Sequence, residues 1–279
     1  MTATGGDFRA AFGTDDFVRA YTDVLVPRLF LPWAEALVAE LAPEVGSTAA
    51  DVACGPGTVT RLLARHVGTT GRVIGADLSR PMLERARAAG DDPDAAPISW
   101  EEAPADQLPI ADGSMATMTC QQGLQFFPDV DAAAAEWRRV IRPGGRLGVA
   151  CWCRIEECRP YADLGRALAP AIGADVVDRL RMPFHMGDPA SIAALLDRHG
   201  FVDITAEVRR RPVVFEGGID MVWQVIGATP LAPAIAALDD AAAVAACRER
   251  LADSLRDITD ADGVVHGEMA NAVVIARAA

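Results

Sequence analysis

Short apolar runs alternate with amphipathic stretches along the chain from Ala49 onward. Apolar runs bounded by turn residues are typical of strands buried on both faces of a parallel sheet, and apolar residues at every third or fourth position are typical of helices. The alternation predicts an α/β fold, a Rossmann-like, doubly wound and mostly parallel sheet of seven strands. The predicted strands are 49–53, 72–78, 98–101, 115–120, 147–152, 201–215 and 268–277.

Capping residues indicate where several helices begin. Ser79, Asp129 and Asp188 each precede an amphipathic stretch, where a side-chain oxygen can accept a hydrogen bond from a free N–H of the first turn. Pro143, Gly144 and Gly145 are expected to end the helix that Asp129 begins. Counted from the cap where there is one, the predicted helices are 58–67, 79–89, 129–141, 161–180 and 188–199.

Two segments are additional to this sheet. Residues 1–48, with an apolar run from Leu25 to Trp33, form a predicted N-terminal helical cap segment, and residues 49–279 form the main domain. Residues 217–257 are mostly helical in pattern and too long for a hairpin turn, so they are a predicted insertion into that domain. We expect both segments to form a cap.

Composition and charge narrow the class of partner. The 279 residues, 51% of them hydrophobic, suffice for one sizeable core. Because proteins bind nucleic acids largely by neutralising phosphates, the net charge of −13 disfavours a nucleic-acid partner and favours a small-molecule substrate. The one basic cluster, Arg209 to Arg211, would be divided between two faces of a strand.

The 26 basic residues are all arginine, since the sequence contains no lysine. This excludes Walker-type phosphate loops, protein kinases, Schiff-base aldolases and pyridoxal-phosphate enzymes, which need a lysine amine. No stretch approaches the roughly 18 apolar residues of a membrane span, and Met1 to Phe17 do not resemble a secretory signal. We therefore expect a cytoplasmic protein whose six cysteines stay reduced. We expect it to be a monomer or a homodimer.

A glycine-rich turn, DVACGPGT at 51–58, leaves the first predicted strand and enters a helix. Glycines there let the backbone approach a ligand, and Asp77, at the end of the second strand, could accept hydrogen bonds from both hydroxyls of a ribose. Such a turn also occurs as a simple tight turn in α/β proteins. Because the third glycine of G-x-G-x-x-G is missing, a nicotinamide or flavin site is not favoured.

In this turn and in later motifs the chain resembles the class I S-adenosylmethionine-dependent methyltransferases, in particular the small-molecule group related to ubiquinone and menaquinone biosynthesis methyltransferases. The resemblance covers about residues 18–155 well and the remainder loosely. It implies S-adenosylmethionine as cofactor and methyl transfer to a small, fairly apolar organic acceptor in secondary metabolism or quinone-like biosynthesis. The motifs are YTDVLVPRLFLPW at 21–33, DVACGPG at 51–57, GADLSRPML at 75–83, LPI at 108–110, DGS at 112–114, CQQGLQFFPD at 120–129 and RRVIRPGGRLGV at 138–149.

For the methionine half of the cofactor, the resemblance implies contact with the backbone of the turn, which Asp51 helps to hold. Ala53 stands where many relatives have the first glycine of this turn. The residues implied around the methionine and the sulfonium are Ala53, Gly55, Gly57, Cys120, Gln121, Tyr21 and Trp33.

For the adenosine half, the resemblance implies that Asp77 binds the ribose and that Leu78 and Met82 line the adenine. Ala105 would offer its amide to the purine edge. Pro104 stands where an acidic residue often binds the adenine amine, and the substitutes available nearby are Asp106 and Glu102.

Candidate catalytic residues are few. His185 is the histidine best placed for the mouth of a pocket, and Gln125 could orient an acceptor by a hydrogen bond but cannot act as a base. Cys151 and Cys153 share a strand face and could hold zinc or trivalent arsenic. Because no matched second pair exists, we interpret them as core residues and predict no metal.

Methyl transfer to oxygen, carbon or nitrogen is the leading hypothesis. One alternative is a non-methylating reaction on the same scaffold, such as a cyclisation or rearrangement, because fold and cofactor site do not determine the chemistry. The other alternative is an inactive cofactor-binding regulatory protein.

Overall fold

The computed structural model describes residues 14–229, 231–238 and 240–279, and within them seven strands form one sheet. The strand order is β3-β2-β1-β4-β5-β7-β6, in which β1 to β5 are parallel and β7 is antiparallel to both of its neighbours. This confirms the predicted Rossmann-like fold. The strands are β1 (Thr48–Val52), β2 (Arg72–Asp77), β3 (Ile98–Glu102), β4 (Met115–Gln121), β5 (Ile141–Trp152), β6 (Phe201–Phe215) and β7 (Val265–Ala278).

Three helices of the main domain begin at the predicted caps Ser79, Asp129 and Asp188. Asp129 Oδ1 accepts a hydrogen bond from the Ala132 N–H at 2.9 Å, and Asp188 Oδ1 accepts one from the Ala190 N–H at 3.1 Å. Each bond satisfies an N–H that has no partner within its own helix. The helices that flank the sheet are Thr58–Val67, Arg80–Ala88, Val130–Val140, Arg159–Ile172, Ala174–Arg181 and Pro189–Arg198.

The chief differences from the sequence prediction are an interrupted helix and a longer strand. The helix predicted over 161–180 is interrupted at Gly173, whose φ of 91° and ψ of 153° lie outside the helical region. The segment from Pro143 to Gly145 belongs to β5, not to a turn that separates helix and strand. Ile141 already pairs with Met115, and the register shifts before the next pair. Local sequence could not show this bulge, because pairing with β4 creates it.

The basic cluster lies on β6, at the edge of the sheet, and is divided between two faces as predicted. Arg209 donates to Glu40, and Arg211 stacks over the Trp33 ring at 5.4 Å. Arg210, between them, donates to Glu157 at 2.7 Å.

Additional helices cover the carboxyl ends of the parallel strands. In the N-terminal segment, Asp15–Ala20 and Leu31–Leu41 are α-helical and the intervening Tyr21–Phe30 is π-helical. This segment packs against the helical turn Val225–Ala228 of the insertion. The insertion also contains the helices Gly218–Gln224, Ala232–Ala236 and Ala241–Leu255.

The first 13 residues of the predicted cap segment lie outside the described residues. Within the described part of the chain, no helix combines the length and apolar character needed to cross a membrane.

Candidate functional site

A cavity of about 590 Å³ lies at the carboxyl ends of the parallel strands, under the additional helices. Its walls include Asp51 of β1, Asp77 of β2, Gln121 of β4 and Trp152 of β5. In open α/β sheets this end of the strands is where ligands bind, and the volume lies within the range of small-molecule sites.

Asp77 is held at the tip of β2 by two backbone groups. Its Oδ2 accepts a hydrogen bond from the Gly55 N–H at 2.8 Å, and its Oδ1 accepts one from the Ser79 N–H at 2.7 Å. Burial raises the pKa of this carboxyl, and the backbone hydrogen bonds oppose the rise. Each carboxylate oxygen has a further acceptor site, so Asp77 can still bind two hydroxyl groups of a ligand.

The glycine-rich turn is left-handed at three positions. Ala53, Gly55 and Gly57 have φ values of 55°, 53° and 84°. A Cβ on Gly55 would meet no atom within 4 Å, so the backbone there faces open space in the cavity. A Cβ on Gly57 would lie 2.4 Å from Cη2 of Trp100, so this glycine is required for packing.

Asp51 connects the glycine-rich turn to the sheet through hydrogen bonds. Its carboxylate accepts hydrogen bonds from the Thr60 hydroxyl at 2.7 Å and from the Thr119 hydroxyl at 2.8 Å. Burial raises the pKa of Asp51 to about 6, although the two hydroxyls lower it. The position predicted to hold the turn therefore joins β1, β4 and the following helix.

Gln122, Gln125 and Asn271 form a polar network at the base of the cavity, and Gln121 has a separate partner. Gln122 Oε1 accepts hydrogen bonds from the Trp152 N–H at 2.9 Å and from Gln125 Nε2 at 3.0 Å, and Gln122 Nε2 donates to Asn271 Oδ1 at 2.8 Å. Gln121 Nε2 donates to the Phe30 carbonyl at 3.0 Å. Within the described residues, the buried oxygens Gln121 Oε1 and Gln125 Oε1 have no hydrogen-bond partner.

Aromatic residues enclose one end of the cavity. Phe30 lies between Tyr21 and Trp152, with ring centroids 4.8 and 5.8 Å away. Tyr161 packs on Phe184 at 5.3 Å. Burial raises the pKa of both tyrosine hydroxyls, so they are neutral at physiological pH.

Most of the residues that the sequence suggested line this cavity, and four do not. Trp33 packs behind Trp152 with ring centroids 6.2 Å apart, Cys120 is fully buried, and Gly57 packs on Trp100. His185 is exposed beside a separate shallow recess, and its Nδ1 lies 2.6 Å from the Met182 carbonyl. The suggested residues that line the cavity are Tyr21, Asp51, Ala53, Gly55, Asp77, Leu78, Met82, Pro104, Ala105, Gln121 and Gln125.

Other lining residues went unnoticed in the sequence. Trp152 was detectable in principle, because it ends a predicted parallel strand. Tyr161 and Thr229 reach the cavity from the chain beyond β5, and Asn271 joins the polar network across 149 positions of sequence separation from Gln122. No local pattern marks these three residues.

The cysteines are buried, as the core interpretation predicts. Burial raises the pKa of Cys151 to about 12 and that of Cys153 to about 11, so both remain thiols. In the part of the chain that the structure describes, no three His, Cys, Asp or Glu side chains group together as a metal site.

Comparison with known proteins agrees with this geometry. Residues 50–149 match the family model described as a methyltransferase domain. The chain is 36% identical over 118 residues to 2-phytyl-1,4-naphtoquinone methyltransferase of Nostoc punctiforme. This alignment covers 42% of this chain and 51% of that protein. The chain is 30% identical over 172 residues to nocamycin O-methyltransferase of Saccharothrix syringae. This second alignment covers 62% of this chain and 60% of that protein. The chain spans between 41% and 60% of the length of these and similar curated relatives.

Solved structures share the fold. The phosphoethanolamine N-methyltransferase 2 of Haemonchus contortus, described in complex with S-adenosylhomocysteine, aligns with a TM-score of 0.60 and 17% identity over 95% of this chain and 57% of that chain. The YcgJ protein of Bacillus subtilis aligns with a TM-score of 0.58 and 15% identity over 88% of this chain and 98% of that chain. With the order of the strands, these likenesses lead to one conclusion: the described chain has a Rossmann-like fold, and its residues 50–149 match a methyltransferase domain.

Proposed function

We propose that this protein transfers a methyl group from S-adenosylmethionine to a small, fairly apolar organic acceptor. The observation that carries the proposal is the pair formed by Asp77 and Gly55, a half-buried carboxylate with free acceptor sites beside a backbone turn that faces open space. The names of the naphthoquinone and nocamycin relatives support the same class of acceptor.

The residues present fit this cofactor. Asp77 would accept hydrogen bonds from the ribose hydroxyls, Leu78 and Met82 would contact the adenine, and Ala105 would offer its backbone amide to the purine edge. The backbone at Gly55 would lie along the methionine part. Gln121 Oε1, a buried oxygen without a partner among the described residues, would accept a hydrogen bond from the methionine ammonium.

The bound cofactor would supply a methyl group on a sulfonium sulfur, which is itself the leaving group. What remains for the chain is to hold the acceptor in line with the methyl carbon and to exclude water. The aromatic end of the cavity, with Phe30, Trp152 and Phe184, suits both tasks because its side chains are apolar and buried.

Positioning, not proton abstraction, is the proposed contribution of the side chains near the acceptor. Among the described lining residues there is no histidine, and burial raises the pKa of Tyr21 and Tyr161. Gln125 is proposed to orient the acceptor through its amide oxygen. His185 is given no role in the transfer, because it lies outside the cavity.

We further propose that the protein acts in the cytoplasm, as a monomer or homodimer, without a nucleic-acid partner. The net charge of −13 supports the last point, because phosphate binding needs basic surface. Six free, buried cysteines are consistent with a reducing compartment.

The test is calorimetric titration with S-adenosylmethionine and with S-adenosylhomocysteine, followed by incubation of acceptors with cofactor labelled in its methyl group. Micromolar binding and label in the product would support methyl transfer. Binding with conversion of the acceptor but no label would favour a cyclisation or rearrangement. The absence of binding would overturn the cofactor assignment.

A further inference from the structure

The hydrogen-bond ladder between β4 and β5 changes at Gln122. The last paired residues of the two strands are Gln121 and Ala150, and the Gln122 N–H still donates to the Ala150 carbonyl at 2.7 Å. In a regular parallel ladder the Gln122 carbonyl would then accept the next hydrogen bond, from the Trp152 N–H. Gln122 instead has a φ of 59°, a left-handed conformation that differs from that of a strand, and β4 ends before it. The backbone of Gln122 therefore leaves the ladder one hydrogen bond early.

The side chain of Gln122 takes the place of its backbone carbonyl. Gln122 Oε1 accepts a hydrogen bond from the Trp152 N–H at 2.9 Å. Trp152 is 5% exposed, and a buried backbone N–H without a partner would destabilise the fold. The amide oxygen therefore allows β5 to extend beyond the end of β4 with this N–H still paired.

Two neighbours fix the orientation of the Gln122 amide. Because an N–H can only donate, the Gln122 atom that meets the Trp152 N–H is the oxygen. Gln122 Nε2 donates to Asn271 Oδ1 on β7 at 2.8 Å, and Gln125 Nε2 donates to Gln122 Oε1 at 3.0 Å. The amide is thus bonded to β5, to β7 and to the turn Leu124–Phe126, and all three partners are buried.

The end of β5 that Gln122 holds is a wall of the cavity. Trp152 lines the cavity, and its ring centroid lies 5.8 Å from that of Phe30 and 6.2 Å from that of Trp33. The turn after Gln122 lines the same cavity, beginning with Gly123. Ligands of open α/β sheets bind where the parallel strands end. The early end of β4 and the longer β5 together shape this part of the cavity, and Gln122 joins them.

We propose that Gln122 is a positioning residue for methyl transfer, whose side-chain amide holds the backbone of Trp152 and thereby the indole against which the acceptor lies. This inference rests on the proposed function, in which Trp152 helps to hold the acceptor in line with the methyl carbon. The ribose contacts proposed at Asp77 and Gly55 lie on the other side of β4 from β5. Loss of the Gln122 amide should therefore impair binding of the acceptor more than binding of the cofactor.

Gln122→Met tests the hydrogen bond to Trp152, because it keeps the length and unbranched shape of the side chain and removes both amide groups. Labelling with ¹⁵N-tryptophan gives one backbone amide signal for each of the five tryptophans, and Trp152→Phe identifies the signal of Trp152. Amide hydrogen exchange is then followed by NMR. We expect exchange at Trp152 to become roughly tenfold faster in Gln122→Met, while the other tryptophan amides keep their wild-type rates.

Gln122→Glu is the conservative variant. One carboxylate oxygen still accepts from the Trp152 N–H, and Asn271 Nδ2, which has no partner within the described residues, can turn toward the other oxygen. Exchange at Trp152 should then stay within about threefold of the wild-type rate. Gln224→Met, at an exposed position, is the matched control for the methionine substitution.

Steady-state kinetics with labelled cofactor and an acceptor that takes up the label test the functional part. In Gln122→Met the KM for the acceptor should rise roughly tenfold, while the Kd for S-adenosylhomocysteine stays within about twofold of wild type. Gln122→Glu should restore the KM. A variant that had only lost part of its folded population would instead show a lower kcat at an unchanged KM.

Three results would overturn the inference: slow exchange at Trp152 in Gln122→Met, faster exchange at all tryptophan amides together, or an unchanged KM for the acceptor. The proposed function would stand in each case, provided that the wild type binds S-adenosylhomocysteine and transfers the label. If the wild type does neither, the proposed function is overturned, and the role of Gln122 in methyl transfer with it.

Discussion

The backbone N–H of Gly55 donates a hydrogen bond of 2.8 Å to Asp77 Oδ2, across the ends of β1 and β2. The carboxylate is therefore positioned by the turn that it adjoins, and Ser79 holds its other oxygen. A change at Asp77 should alter both the ligand contact and the shape of the turn.

Asp77→Asn should weaken the binding of S-adenosylhomocysteine by about 1 to 3 kcal/mol, roughly five- to 150-fold. Asparagine removes the charge and places an NH₂ group against one of the two backbone N–H donors. Calorimetry checks this, with Asp94→Asn at an exposed position as the control. Unchanged affinity would refute the ribose assignment.

Asp51→Asn should stabilise the fold at pH 7.5 and lose that advantage toward pH 5. The folded-state pKa of about 6 lies above the unfolded value of 3.8, so ionisation of Asp51 destabilises the folded state. The penalty, on the order of 3 kcal/mol, is complete about one unit above that pKa and disappears as the pH falls toward 3.8. Asparagine can still bond to Thr60 and Thr119, because hydroxyls donate and accept.

Urea unfolding followed by tryptophan fluorescence at pH 7.5, 6 and 5 measures this difference in the free energy of unfolding. Comparison with Asp94→Asn removes the contribution of a surface carboxylate. A difference between wild type and Asp51→Asn that does not vary with pH would contradict the assignment.

Gly123→Ala should lower the free energy of unfolding by about 1 to 3 kcal/mol through overpacking. Its φ of −107° suits alanine, but the new Cβ would lie 2.5 Å from Ala53 Cβ and 2.9 Å from Cys120 Sγ. Ala53→Gly removes the closer contact, so the double variant should recover part of the loss. The double-mutant cycle from denaturant unfolding measures the coupling, and strictly additive effects would show that the two Cβ atoms do not compete for space.

His185→Gln should leave kcat and KM for methyl transfer within about twofold of wild type. Its ring lies outside the cavity with Nδ1 against the Met182 carbonyl, and glutamine keeps a polar group there. Steady-state kinetics with labelled cofactor provide the measurement. Because a general base contributes roughly 10²- to 10⁴-fold, a loss of that size would identify His185 as the base.

Local signals in the sequence predicted the sheet and the end of the cavity formed by the glycine-rich turn and Asp77. The caps at Asp129 and Asp188 depend on neighbours within three residues, and the strands that carry Asp51 and Asp77 near their ends follow from alternation along the chain. Because parallel strands present their carboxyl ends at one edge, the glycine-rich turn and Asp77 had to meet.

Local signals could not predict the residues that reach the cavity from distant segments of the chain. Gln122 pairs with Asn271, and Tyr161 and Thr229 line the cavity from segments that follow β5. His185 resembled a pocket residue in the sequence, yet the turn that carries it directs the ring to the surface.

The sequence by itself determined the order of strands and helices, their caps and the turn beside Asp77, since each depends on residues close together in the chain. Only the tertiary structure decided which side chains enclose the acceptor and that the free oxygen of Gln125 faces no protein donor among the described residues. Those features depend on contacts between distant segments, and such contacts exist only once the sheet has paired and the additional helices have packed over it.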